Sequence, residues 1–234
     1  MSQFARFSPL GDQAVLVTLG ESIDEGTHRR VRAAAARIDA QALAGVIDQV
    51  PAFTSIAVHY DPAGVAGSDE RSPYDRLVAM LDSALADLHP EALPPPRVVE
   101  IPVAYGDDFG PDLDEVARAH DLQPDDVIRI HSEGDYLVYM VGFMPGFAYL
   151  GGLPERIATP RRPSPRTAVP AGSVGIGGPL TGVYPLEAPG GWNLIGRTPL
   201  HIFDIDRAQS TLLGVGDRVR FRPISAPDFR AWRR

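Results

Sequence analysis

Between Gly142 and Pro199 the chain carries 12 glycines and 10 prolines in 58 residues. Helices cannot run through such a stretch, because proline lacks the amide donor and glycine loses the most backbone entropy on ordering. The same density fits disorder. Phe143, Phe147, Tyr149, Tyr184 and Trp192 are interleaved with it, however, and disordered chains are poor in aromatics. An ordered, loop-rich β-structure satisfies both facts. Strand signals flank it. Val99, Ile101 and Val103 alternate, and Tyr136 to Val141 is an unbroken apolar run suited to a strand buried on both faces. Leu200 to Ile205 reads as a strand. Arg218 to Arg222 reads as another, with Val219 and Phe221 inward. Asp112 and Glu115 cap a short helix through about His120. Many short strands with turn signals between them predict a closed barrel.

The first third has a different texture. Ala14 to Leu19 reads as a strand. Ser22 and Glu25 have capping-box spacing and open a helix through about Asp39, with Val31, Ala35 and Ile38 on one face. Val46 to Val50 and Ser55 to His59 read as strands joined by Pro51 to Thr54. Ser72-Pro73 is an N-cap followed by proline at the first helical position. Leu77, Leu81, Leu85 and Leu88 follow at helical spacing, with Val78 beside them. This predicts a small α/β sandwich with helices on one face of a mainly antiparallel sheet. Three consecutive prolines, Pro94 to Pro96, can continue neither texture. The fold class is therefore α+β, with an N-terminal domain over 1–93 and a barrel domain over 94–234.

Composition removes several chemistries. The chain has no cysteine, and all 22 of its basic residues are arginine. Disulfides, thiolate nucleophiles and zinc–thiolate sites are excluded, as are a lysine Schiff base and a phosphate loop of the Gly-Lys-Ser type. A net charge of −8 argues against a nucleic-acid binder. The opening MSQFARFSPLGDQAV does not read as a secretory signal, and no apolar run approaches the roughly 20 residues that span a bilayer. The expectation is a soluble, cytoplasmic protein.

Five places could carry chemistry. Gly142 to Leu153 combines flexible glycines with aromatics able to wall a cleft, or is a packed barrel turn. Arg156, Arg161, Arg162 and Arg166 make a basic, proline-stiffened segment able to grip carboxylate or phosphate, or pair with acids at a surface. Gly172 to Gly178 resembles a nucleophile elbow and a dinucleotide loop and matches neither. Ser173 is a poor nucleophile candidate, while backbone N–H groups there could cradle an anion. In Ala188 to Thr198, Trp192 is a core anchor or a ligand wall, and Arg197 pins a carboxylate or braces its loop. Of the six histidines, none forms a close metal-type pair. His131 is a general base or a structural hydrogen-bonder. No metal site is predicted.

In order along the chain, GFMPGFAYLGGL, TPRRPSPRTAVPAGSVGIGG, TGVYPLEAPGGWNLIGRTP and GDRVRF resemble the family of B-type 5-oxoprolinase subunits, also called allophanate hydrolase subunit 1. That family includes a sporulation histidine-kinase inhibitor. The resemblance implies a small N-terminal α/β domain and a cyclophilin-like β-barrel. It also implies partners, the C-type (allophanate hydrolase subunit 2) and A-type subunits of 5-oxoprolinase. Together they open 5-oxoproline to glutamate at the expense of ATP. ATP and Mg belong to that complex, with neither assigned to this chain. Family positions carry over to His131, Phe143, Pro145, Gly146, Phe147, Arg161, Arg166, Ser173, Tyr184, Gly190, Gly191, Trp192, Arg197 and Thr198. His131, Arg161, Arg166 and Arg197 are the catalytic candidates, and the others are candidates for substrate binding. Leu180-Thr181-Gly182 departs from the family's usual Gln-Thr-Gly, which removes a side-chain amide there.

Phosphorylating a lactam oxygen makes it a leaving group, a path that needs anion stabilisation. The expectation is that Arg161, Arg166 and Arg197 share an anion pocket completed by the C-type partner. The alternative is a binding module whose Phe143, Phe147 and Trp192 hold a proline-containing segment of a sensor histidine kinase. Literal allophanate hydrolysis is a third reading. It lacks the lysine of an amidase-type serine–lysine site.

Overall fold

The computed structural model describes residues 5–67 and 70–232. The first four residues of the stretch weighed for a secretory signal lie outside them. The chain divides into two compact units, Met1–Pro95 and Pro96–Arg234.

In the N-terminal unit, β1 (Arg6–Pro9), β2 (Ala14–Thr18), β3 (Val46–Ala52) and β4 (Ser55–Tyr60) form an antiparallel sheet in the order β1-β2-β4-β3. Alternation sends Val15, Val17, Ile56 and Val58 to one face, where α1 (Glu25–Gln41) and α2 (Pro73–Leu85) cover them with Val31, Ile38, Leu77, Leu81 and Leu85. Pro51, expected in a connection, lies within β3. An edge strand tolerates proline because one of its sides needs no donor. The cap of α1 is Asp24, whose carboxylate accepts from Thr27 N–H at 2.7 Å, and Ser22 donates its hydroxyl to Asp24 instead of capping. Asp24 competes better because a carboxylate is the stronger acceptor at the positive helix end. Ser72 caps α2 as read.

The second unit contains β5 (Val98–Tyr105), α3 (Leu113–Ala119), α4 (Pro124–Ser132), β6 (Tyr136–Val141), β7 (Ala148–Gly151), β8 (Arg166–Val169), β9 (Ser173–Gly177), β10 (Leu180–Val183), β11 (Ala188–Gly190), β12 (Asn193–Arg197), β13 (Arg218–Pro223) and α5 (Ala226–Ala231). Seven strands close a barrel in the order β10-β7-β6-β13-β5-β12-β9. Closure removes the exposed edges that short strands would otherwise present. Ile101, Val103, Tyr136, Val138, Leu150, Ile176, Ile195, Val219 and Phe221 fill the core, joined by Val116 of α3 and Val127 and Ile130 of α4. Leu200 to Ile205 is not a strand: it contributes one isolated bridge, Phe203 to Thr211. Strands β8 and β11 pair outside the barrel and set Arg166 opposite Gly190. Among the described residues, no helix is long and apolar enough to cross a membrane.

Candidate functional site

The glycine density acquires its physical reason at Trp192. A Cβ on Gly177 would lie 2.6 Å from the indole, one on Gly175 3.1 Å from Trp192 Cβ, and one on Gly182 3.2 Å from the ring. The glycines of β9 and β10 therefore leave room for the indole to lie flat on the sheet. Phe147 stacks edge-on to it at 5.4 Å between ring centres, and Tyr184 and Phe143 stack edge-on to Phe147 at 5.1 and 5.7 Å. The result is a cleft of about 360 Å³ lined by Phe143, Phe147, Tyr149, Tyr184 and Trp192 together with Pro189, Gly190, Gly191, Arg161, Arg162 and Pro165. Gly190 is required there, because a Cβ would meet the Tyr184 hydroxyl at 2.3 Å. Burial pushes the Tyr184 and Tyr149 hydroxyls above their ordinary range, so both are neutral donors at physiological pH.

Phe143 is unusual twice over. It is 65% exposed and holds a positive φ of 72°. For a bulky residue that backbone is strained, and strain of this kind concentrates at ligand-binding positions. The turn that holds it is short: Gly142 N–H donates to Phe147 O at 2.9 Å and Phe147 N–H to Met144 O at 3.1 Å. Pro145 and Gly146 complete the turn, and Gly146 packs against Phe203.

The three arginines expected to share one pocket do not. Arg161 stands in the aromatic cleft, its guanidinium carbon 5.8 Å from the centre of the Trp192 ring. Among the described residues it makes no hydrogen bond or ion pair. Arg166 is committed to Asp112 at 2.6 Å. Arg197 braces a loop, donating from Nε to Ala171 O at 2.8 Å, and lines a second cleft of about 440 Å³ with Thr198, Leu186, His201, Phe203, Phe229 and Trp232. Thr198 is buried and accepts from Leu200 N–H.

Ser173 is 2% exposed within β9. Its strand runs between β10 and β12, so the backbone groups considered for an anion cradle are engaged in ladders on both sides, and Gly178 N–H donates to Thr159 O. His131 sits apart from both clefts, fully buried on α4. Its Nδ1 is 2.8 Å from the Tyr105 hydroxyl and its Nε2 3.0 Å from Thr181 Oγ1. Phe221 and Tyr136 pack on the ring, and burial pushes its pKa down to about 3. It is a neutral core histidine at physiological pH. Thr181, from the segment that departs from the family pattern, is its partner. The residue that sequence reading missed is Asp112. It reads as a helix cap, yet its side chain makes no cap bond to α3. No local signal couples it to arginines 50 and 54 positions away.

Comparison with known proteins agrees with this architecture. The profile described as "Carboxyltransferase domain, subdomain C and D" matches residues 5–213. The B-type 5-oxoprolinase subunit of Bacillus subtilis (strain 168) is 47% identical over 232 residues, covering 96% of this chain and 95% of that protein. The Escherichia coli O157:H7 protein of the same name is 43% identical over 94% of this chain and 97% of its own length. Among solved structures, TTHA0988 superposes with a TM-score of 0.79 at 37% identity over 92% of this chain, and this chain spans only 40% of that one. The Kluyveromyces lactis urea amidolyase, 21% identical, shares the fold with a TM-score of 0.76 over 97% of this chain and 15% of its own. With a family profile spanning most of its length and near-full-length relatives above 40% identity, the chain belongs to the family of B-type 5-oxoprolinase subunits, within the carboxyltransferase-domain subdomain C and D proteins.

Proposed function

We propose that this chain works as the B-type subunit of an ATP-dependent 5-oxoprolinase and that its aromatic cleft holds the lactam substrate. The observation that carries this reading is Arg161, a guanidinium over the Trp192 ring without a hydrogen bond or ion pair among the described residues, in a cleft lined mainly by aromatic rings. 5-Oxoproline has that shape and chemistry: a small, flat ring with one carboxylate. The ring is placed against the aromatic wall that Phe147, Tyr184 and Trp192 present to the cleft, with the carboxylate toward Arg161, whose planar fork matches it. A cleft of about 360 Å³ suits a ligand of this size.

The chemistry needs more than this chain. The lactam carbon is a poor electrophile until its oxygen is phosphorylated, and the chain offers no lysine phosphate loop. ATP, with Mg, is assigned to the complex with the C-type and A-type partners, and this chain's part is to bind and orient the ring. That a chain of this length matches one part of the longer TTHA0988 polypeptide supports a protein that works together with further chain.

The test is reconstitution with the C-type and A-type partners and an assay of 5-oxoproline-dependent ATP hydrolysis. Arg161→Ala should raise the KM for 5-oxoproline by about tenfold or more, the loss expected for a hydrogen bond between charged groups. An unchanged KM would remove Arg161 and the cleft from substrate binding. Absence of any 5-oxoproline-dependent hydrolysis in the wild-type complex would refute the proposed membership of a 5-oxoprolinase itself.

A further inference from the structure

We propose that Asp112 is a positioning residue that locks both walls of the aromatic cleft, so that Arg161 is aimed by a carboxylate that never touches the ligand. Its link to substrate binding rests on the function proposed for the cleft. The lock itself rests on geometry alone. One wall is the segment running from Thr159 into β8, which carries Arg161, Arg162 and Pro165. The other is the Gly190–Leu194 segment, which carries Trp192. Asp112 Oδ1 accepts from Arg166 Nη2 at 2.6 Å and from Arg162 Nη1 at 3.0 Å, both on the first wall. Its Oδ2 accepts from Leu194 N–H on the second wall at 2.6 Å, and Asp112 N–H returns a bond to Leu194 O at 2.9 Å. One carboxylate, with its side chain only 4% exposed, thus holds both segments.

The charge balance makes this carboxylate hard to replace. Arg162 and Arg166 are cations four positions apart on one segment, with side chains 29% and 27% exposed. Arg162 Nε and Arg166 Nη1 are buried and have no partner among the described residues. Among the described residues, only Glu115, itself largely exposed, offers Arg162 another acid. Without the anion, two partly buried cations are left with one exposed acid between them, which favours movement of the segment that hydrates them. The walls also share neutral contacts: the β8–β11 pairing that sets Arg166 opposite Gly190, Arg162 N–H to Gly191 O at 2.7 Å, and Asn193 Nδ2 to Pro160 O at 2.8 Å. These set the spacing of the walls but cannot neutralise the arginines.

The perturbation is Asp112→Asn, which keeps size and an acceptor for Leu194 N–H and removes the charge. In hydrogen exchange on the full chain, amides at 159–166 and 190–194 should exchange faster while those of β6 and β13 keep their protection. In the reconstituted complex the KM for 5-oxoproline should rise about tenfold with kcat within about twofold, because aim and not chemistry is lost. Arg166→Met, which leaves Asp112 paired with Arg162, should move both readouts the same way by a smaller factor. It serves as the test if Asp112→Asn does not fold. Unchanged exchange in both segments would overturn the lock, as would loss of protection throughout the barrel. Faster exchange at both segments with unchanged KM would leave the lock standing and overturn its role in substrate binding. The Arg161→Ala result, obtained separately, reports on whether the cleft binds substrate at all.

Discussion

Removing the buried imidazole of His131 should change how the barrel's stability responds to pH. Unfolded, this histidine takes a proton near its ordinary pKa of 6.5. Folded, it stays neutral until about pH 3, because full burial penalises the charged imidazolium. The unfolded state therefore binds the extra proton between those values, so stability is full above about pH 6.5 and falls as pH drops towards 3. Each pH unit within that window costs about 1.4 kcal/mol, giving a loss of about 2 kcal/mol by pH 5. His131→Gln has no titration and retains groups able to bond the Tyr105 and Thr181 hydroxyls. Both tryptophans, Trp192 and Trp232, lie in the second unit, so their fluorescence in urea reports on that unit alone. The wild type should lose about 1 M in urea midpoint between pH 7 and pH 5. The variant, less stable at pH 7, should lose far less. Asp126 of the same unit, held low by hydrogen bonds, loses its contribution only as pH falls through its ordinary value of 3.8 and lower, outside the comparison of pH 7 with pH 5. Equal slopes for the two proteins would refute the account of His131 as a neutral core residue.

Further outcomes follow from the packing. Gly177→Ala puts a methyl group 2.6 Å from the Trp192 indole, which should cost about 1–3 kcal/mol by overpacking and shift tryptophan emission to longer wavelength as the ring lifts. The same variant should weaken 5-oxoproline binding in the complex. Leu81→Ala, at a fully buried site under the N-terminal sheet, should cost that unit about 2–5 kcal/mol. Faster amide exchange in β2 and β4, with the barrel strands unaffected, is the measurement that checks it.

How far the residues alone carried the fold is clearest where they failed. Leu200 to Ile205 has a strand's composition but no neighbour at ladder distance beyond one bridge, and pairing is a property of the sheet rather than of the segment. Helix α4 went unread, although Pro124 opens it and Gln123 and Asp126 form a capping box. Ser22 lost its cap to Asp24, two positions on, where two good acceptors competed for the same donors. The cleft's aromatic walls were legible from Phe143, Phe147, Tyr184 and Trp192, because large apolar rings amid glycines must bury somewhere.

The sequence by itself determined the chemistry withheld and the architecture offered. Without lysine or cysteine there is no side-chain amine or thiol nucleophile, and the glycine–proline stretch with its aromatics favours short strands in a closed barrel. Those are local consequences of residue type. Only the tertiary structure decided which arginine is free. Arg161, Arg162 and Arg166 are neighbours of one type in one basic segment, indistinguishable by composition. Asp112, brought from about 50 positions away by barrel closure, takes two of them and leaves Arg161 over Trp192. Partnership between distant charges is settled by where the backbone carries them, and no local pattern encodes it.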